Sequence, residues 1–421
     1  MKDFFIRIFS HKFSQDALIN ISGTIINSLL GLFFFILILR VLGPTEFGIF
    51  AILAAILVLL SDVFDLGTNQ GLVKFISESL AKKDQRSVSQ FLKLGFEIKI
   101  LVGLLLIVLG WPISYFVARF FFPFQNFWLI FLAFLGILPT LLLGFVFYSL
   151  QGLGRFVKAN LCQIFANTLR LILIFVFLFF DHLDVFTSVL VFSIAPFFGF
   201  LAGIYFLPKE FLQVRGEFLQ IRSFLRFNFW LALYFVFFSI YSRIDTFLLA
   251  GLVGAYQTGI YNAAARLLSP FMQVSGNFST ALAPSFAKLK NLQLAKNLFR
   301  QTLKFAVVLV LPMFLIIFLA PFLIPVLFGK SYLDSIPSLQ ILTVGMMFLF
   351  ISVPATTFIV YFFEKPQVYV ILTFFQIFLI LVFGFVLIPR FGATGAAISF
   401  LISQIWLFSS SFIFVLAKRG W

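Results

Sequence analysis

Apolar residues run along this chain in long unbroken blocks, separated by short breaks rich in charge, proline or glycine. A helix that crosses a ~30 Å hydrocarbon layer needs ~20 residues. Blocks of that length predict twelve transmembrane helices, near 17–41, 48–68, 98–118, 127–149, 159–180, 185–207, 228–250, 257–283, 305–327, 337–362, 368–388 and 393–416. The pattern predicts an all-α integral membrane protein. Ahead of the first block, Met1–Phe13 sets Phe4, Phe5, Ile8 and Phe9 against Lys2, Arg7 and Lys12. That amphipathic stretch reads as an interfacial segment and not as a signal peptide.

Composition removes the alternatives. Of 421 residues 62% are hydrophobic and 11% charged, against ~25% charged in soluble domains. An ordinary soluble domain and a disordered chain are both excluded. Cys162 is the single cysteine, so a disulfide-built module is excluded as well. The net charge of +15 admits nucleic acid or an anionic membrane surface as partner. Where the cations fall decides between them. The side of the N-terminus receives Lys2, Arg7 and Lys12, then Lys74, Lys82, Lys83, Arg86, Lys93 and Lys99 between the second and third spans. It also takes Arg155, Lys158, Lys209, Arg215, Arg222, Arg226, Lys288, Lys290, Lys296, Arg300, Lys304, Lys365, Lys418 and Arg419. The other side receives Arg40, Arg119, Lys330 and Arg390, while Arg170, Arg243 and Arg266 stay within spans. This asymmetry orients the chain with both termini in the cytoplasm and assigns the loop charge to orientation and anionic lipid, not nucleic acid.

An internal repeat divides the chain. Val41-Leu42-Gly43-Pro44-Thr45-Glu46-Phe47-Gly48-Ile49-Phe50 aligns without gaps on Leu252-Val253-Gly254-Ala255-Tyr256-Gln257-Thr258-Gly259-Ile260-Tyr261. Leu92-Lys93 with Leu303-Lys304, and Gln163-Ile164-Phe165 with Gln376-Ile377-Phe378, follow at nearly the same offset. The expected organisation is an N-terminal six-helix bundle over 1–207, a cytoplasmic linker over 208–227 and a C-terminal six-helix bundle over 228–421, as a parallel pseudo-symmetric pair. The exoplasmic loops are short, the longest lying around Phe328–Pro337, and leave no room for a folded catalytic domain.

Arg40 through Phe50, the Asp65-Leu66-Gly67 turn region and Leu72-Val73-Lys74-Phe75 resemble the start of the polysaccharide biosynthesis (O-antigen and lipid-linked oligosaccharide) flippases. Arg243-Ile244-Asp245, Leu248-Leu249-Ala250-Gly251 and Gly259-Ile260-Tyr261-Asn262-Ala263-Ala264 resemble the second half of that family. Its superfamily also holds multidrug exporters of the MATE type and the lipid II flippase. The resemblance implies a MATE-like, V-shaped fold with a central cavity lined by spans 1, 2, 7 and 8. It implies a non-enzymatic transporter that carries an undecaprenyl-pyrophosphate-linked oligosaccharide outward by alternating access. The implied setting is the cytoplasmic membrane of a bacterium or archaeon, beside glycan polymerase and glycosyltransferase machinery. A monomer is expected, with no cofactor and with H+ or Na+ as the candidate coupling ion.

Charge inside a span costs at least ~2.5–3.5 kcal/mol and should face protein or water. Arg266 belongs to a polar line, Asn262, Arg266, Ser269, Gln273, Asn277 and Thr280, whose spacings of three and four share one helical face. Either Arg266 offers a cation to a pyrophosphate, or it pairs with Asp245 or a helix-end carbonyl. Arg243, a candidate cavity cation, and Asp245 would point about 200° apart on a continuous helix, each with its own partner, one facing the cavity and the other the neighbouring bundle. Arg170, following Gln163 and Asn167, is a cavity cation or a structural bond within its bundle. Asn20, Thr24 and Asn27 form a weaker polar line that lines a cavity or packs helices. Asp62, Asp65 and Asp245 are candidate coupling or pairing acids. No zinc set is expected from His11, His182 and Cys162, and the chain has no Gly-x-x-x-x-Gly-Lys-Ser/Thr phosphate loop. A cation-coupled drug exporter of the same superfamily is the alternative, and a membrane glycan polymerase or ligase the third choice.

Overall fold

The structure is a computed structural model that describes residues 12–120, 127–214, 221–287, 289 and 291–417. In chain order its α-helices are α1 (Lys12–Val63), α2 (Thr68–Ala81), α3 (Gln85–Phe120), α4 (Phe127–Leu135), α5 (Ile137–Gly152), α6 (Phe156–Phe179) and α7 (Val185–Ile204). After a short 3-10 turn at Lys209–Leu212 come α8 (Ile221–Tyr241), α9 (Ile244–Leu252), α10 (Ala255–Ala287), α11 (Leu292–Leu327), α12 (Ser335–Tyr361) and α13 (Pro366–Ala417). No strand occurs among the described residues.

Length and apolarity mark eight helices able to cross a membrane, or nine if the bent pair α8–α9 is one span, among the described residues. This makes the chain a multi-pass membrane protein. The twelve expected spans are reached only if α1 and α13 each cross twice and α10 crosses too. Both long helices have 52 residues and a non-helical glycine inside, Gly43 (φ 71°) and Gly392 (φ 57°). Positive φ is open to glycine without a Cβ clash. Pro44 follows the first break and supplies no backbone N–H. At the second, the Ala393 N–H donates to Gln257 Oε1 at 2.9 Å, so a side chain caps the restarted helix.

Two compact units divide the chain: Met1–Phe34 with Leu53–Ser239, and Phe35–Ile52 with Ile240–Trp421. The core of the first is aromatic and aliphatic, with Leu72, Phe75, Phe91, Phe145, Phe211 and Phe224 buried together. Phe75 and Phe91 lie 5.1 Å apart by ring centroid. Small residues bring its helices close: a Cβ on Gly199 would press on Ala166, and one on Gly203 on Val146. The second unit packs Phe286, Phe299, Phe358 and Val415 in its core. Large apolar side chains also cover the outside, Val108 at 69%, Phe179 at 82% and Phe318 at 77% exposure among them. Hydrocarbon, not water, is the solvent that tolerates such a surface.

Candidate functional site

In the first unit the polar chemistry starts where α1 stops. Leu66 (φ 54°) and Gly67 (φ 69°) are both left-handed, which separates α1 from α2 and frees backbone groups at the helix ends. Asp65 closes the gap. Its carbonyl accepts from Thr68 Oγ1 at 2.7 Å, and its carboxylate accepts from the Asn69 N–H at 3.3 Å. The same carboxylate forms an ion pair with Lys99 Nζ, whose side chain is fully buried. Lys99 was expected among the loop cations; α3 instead begins at Gln85 and carries it nearly four turns inward. Asp62 accepts from Ser239 Oγ at 3.0 Å.

A second polar chain in this unit crosses three helices. Asn27 donates to the Gly23 carbonyl at 2.9 Å, and its Oδ1 accepts from Asn167 Nδ2 at 2.8 Å. Arg170 Nη1 donates to Asn167 Oδ1 at 3.2 Å, and Nη2 to the Phe192 carbonyl at 3.2 Å. The Arg170 guanidinium also stacks 4.4 Å from the Phe192 ring centroid. Thr24 accepts from Ser28 Oγ through its carbonyl at 2.7 Å. The side chain of Asn20 lies outside the described residues.

The second unit is built around another break. Ser242 and Arg243 separate α8 from α9, the helix axes bending by 44°. Arg243 is the residue that starts α9 (φ −137°), so the continuous helix on which Arg243 and Asp245 would diverge does not exist. Asp245 lies in the first turn of α9, accepting from the Thr246 N–H at 2.7 Å and from the Tyr261 hydroxyl. One residue on, Asn262 is buried against Thr246, Nδ2 donating to Thr246 Oγ1 at 3.3 Å and to the Thr258 carbonyl at 3.0 Å. The α9–α10 contact thus joins Asp245 to Tyr261 and Thr246 to Asn262.

Arg266 sits one turn further along α10. Its guanidinium lies 3.9 Å from the centroid of the Phe35 ring. No side chain or carbonyl among the described residues accepts a hydrogen bond from it, and no ion pair joins it to Asp245. The Arg243 charge is close enough to repel it. Along the same helix Ser269 Oγ bonds back to the Arg266 carbonyl at 2.8 Å, Gln273 is exposed and Asn277 half-buried. A third network, absent from the sequence-based expectations, buries Tyr241 with Gln376 and Gln404, both of which donate to its hydroxyl. Its one sequence signal is that Gln376 recurs in the internal repeat.

No group of His, Cys, Asp and Glu capable of holding a metal occurs among the described residues. What remains chemically open is the Arg266 fork, an array of N–H donors suited to phosphate or carboxylate oxygens. Cation–π contact with Phe35 holds the head in place without consuming those donors.

Comparison with known proteins follows this chemistry. The family model described as "Polysaccharide biosynthesis protein" matches residues 13–290. An uncharacterized membrane protein of Methanocaldococcus jannaschii is 22% identical over 409 residues, covering 94% of this chain and 95% of that protein. Among solved structures, the lipid II flippase MurJ in an inward closed conformation superposes with a TM-score of 0.75 at 17% identity, over 95% of this chain and 88% of MurJ. An inward-facing multidrug resistance transporter of the MATE family, in the MOP superfamily, gives 0.72 at 15% identity, over 96% of this chain and 100% of the other. At these identities the two structures establish a shared fold.

Proposed function

Because this chain belongs to the polysaccharide biosynthesis protein family and has the MOP-superfamily fold, we propose that it is a flippase. Its cargo would be an undecaprenyl-pyrophosphate-linked oligosaccharide repeat unit, moved across the cytoplasmic membrane by alternating access. One observation carries the proposal: a half-buried arginine on α10, Arg266, stacked on Phe35, with no carboxylate partner among the described residues. On the twelve-span reading α10 crosses the membrane, where a guanidinium without an acceptor is costly, and an anionic ligand that arrives and departs accounts for it. Arg243 adds a second positive charge near the same point. A pyrophosphate, with its charge spread over several oxygens, suits two such neighbours.

The drug-exporter alternative asks for carboxylates that can receive an organic cation. Asp65 is tied to Lys99, Asp62 to Ser239 and Asp245 to Tyr261. Asp245 and Asp65 remain the groups through which H+ or Na+ would couple. The excess of Lys and Arg on the side of the N-terminus supports an orientation with both termini in the cytoplasm.

The test is reconstitution of the purified chain in vesicles carrying fluorescent lipid-linked oligosaccharide in one leaflet. Protein-dependent movement to the other leaflet is the expected result. Vesicles that instead accumulate a cationic dye against a proton gradient, with no lipid movement, would assign the drug-exporter role.

A further inference from the structure

At the ends of two span helices, one surface groove gathers charge that no partner among the described residues neutralises. It lies in the first unit, between the turn joining α5 to α6 and the segment that follows α7. Arg155, Lys158, Tyr205, Phe206, Lys209 and Glu210 line it, around a volume of about 550 Å³. Gly154 (φ 70°) turns the chain so that Arg155 starts α6. Arg155 is pinned there by a 2.6 Å hydrogen bond from Nη1 to the Phe206 carbonyl. Lys158 lies 5.1 Å from the Phe206 ring centroid, and Lys209 lies 6.0 Å from that of Tyr205.

Three cations and one acid share this groove, yet no carboxylate stands within 4.0 Å of any of the three among the described residues. Elsewhere in the unit, Lys74 and Lys93 do pair with acids one turn away, Glu78 and Glu97. Tyr205 is 74% exposed, with its ring available to the boundary between water and hydrocarbon. The apolar side chains beside the groove are open too. Val157 and Leu161 follow on α6, and Leu201 precedes Tyr205 by one turn on α7, all three exposed. A charged head in the groove would therefore have its acyl chain run along an apolar helix surface.

We propose that this groove is a binding site for a lipid-borne phosphate, at the membrane surface that carries the basic loops. It shares no residue with the Arg266 site, and the groove's charge and geometry carry it without the translocation reading. The head would be the phosphodiester of an anionic membrane lipid or the pyrophosphate of a polyprenyl carrier. Both supply what the site selects: negatively charged oxygens for one arginine and two lysines, on a molecule whose tail stays in the bilayer.

The experiment is native mass spectrometry of the detergent-solubilised full chain titrated with phosphatidylglycerol, phosphatidylcholine or undecaprenyl pyrophosphate. Wild type is expected to retain the first and third over the zwitterionic lipid. The variant Arg155→Gln/Lys158→Gln/Lys209→Gln should lose at least about 10-fold in apparent affinity. A control of equal charge loss on the same face, Lys82→Gln/Lys83→Gln/Arg86→Gln, should stay within about 2-fold. Loss for both anionic lipids identifies a general phosphate-lipid site; loss for undecaprenyl pyrophosphate alone identifies the carrier's head. Equal loss in the control, or no preference over phosphatidylcholine, overturns the proposal. Should the triple variant fail to fold, Lys158→Gln/Lys209→Gln replaces it, since neither side chain donates a hydrogen bond among the described residues.

Discussion

The two units treat the cations on their helices differently. In the first, Lys99 is paired with Asp65, and Arg170 spends its guanidinium on Asn167, the Phe192 carbonyl and the Phe192 ring. In the second, Arg266 has an aromatic ring at nearly the same stacking distance but no acceptor among the described residues. Arg170 and Arg266 are thus the same residue on the same kind of platform, one with both terminal nitrogens engaged and only its Nε unpartnered, the other with no acceptor among the described residues. A buried charge satisfied by its own unit is explained by folding. One left open at comparable cost calls for a ligand.

The strongest way to break this contrast is at Lys99. Lys99→Met strands the Asp65 carboxylate inside the first unit and should cost about 3–5 kcal/mol of stability. Unfolding in mixed detergent measures it, and Lys99→Met/Asp65→Leu should recover most of the loss. Failure of the double variant to recover would mean that Asp65 is needed for more than its partner, which would favour a coupling role for it.

Next comes Arg266→Ala. We expect translocation to fall about 100-fold, or roughly 2.7 kcal/mol in the barrier, with the unfolding midpoint unchanged. Arg266→Lys should restore only part of the rate, because a point charge lacks the planar fork. Transport at the wild-type rate by a well-folded Arg266→Ala protein would remove the open cation from the mechanism and dissolve the contrast with Arg170.

Arg170→Met should show the opposite signature. It leaves Asn167 Oδ1 and the Phe192 carbonyl short of a donor, at about 1–3 kcal/mol of stability, while transport per folded molecule stays at the wild-type level. The smallest effect belongs outside the membrane. Asp84 accepts from the Ser87 N–H at 3.0 Å and from Ser87 Oγ at 2.6 Å, and these hydrogen bonds hold its carboxyl below the ordinary value of 3.8. A depressed value favours the charged form in the folded chain, so the contribution is complete above pH 3.8 and is lost as pH falls through the folded value. Faster amide exchange at the start of α3 below that pH, absent in Asp84→Asn, would report it.

The apolar blocks made the membrane helices legible, and the spacing of polar residues found the α10 line because a 3.6-residue period survives in one dimension. Arg170 and Arg266 stood out because charge is rare within a long apolar run. Lys99 did not stand out. It ends a stretch that already holds Lys82, Lys83, Arg86 and Lys93, and only the inward reach of α3 separates it from them. Arg243 and Asp245 misled for a related reason: a helix break of two residues leaves hardly any mark in hydropathy, yet it changes every side-chain direction after it. The Tyr241, Gln376 and Gln404 network joins residues far apart in sequence, a relation no local pattern encodes.

The repeated motif has a consequence of another kind. Gly48 and Gly259 occupy the same place in its two copies, and within the second unit each faces the other copy's first helical residue. A Cβ on Gly48 would collide with the Ala255 carbonyl, and one on Gly259 with the Pro44 carbonyl. Duplicated segments ordinarily drift apart at their own pace, each answering to its own surroundings. Here each copy is the other's surroundings, so a side chain gained on either strikes the backbone of its twin. The two glycines therefore act as one feature written twice, and their sameness across half the chain answers to a contact in force in the folded protein.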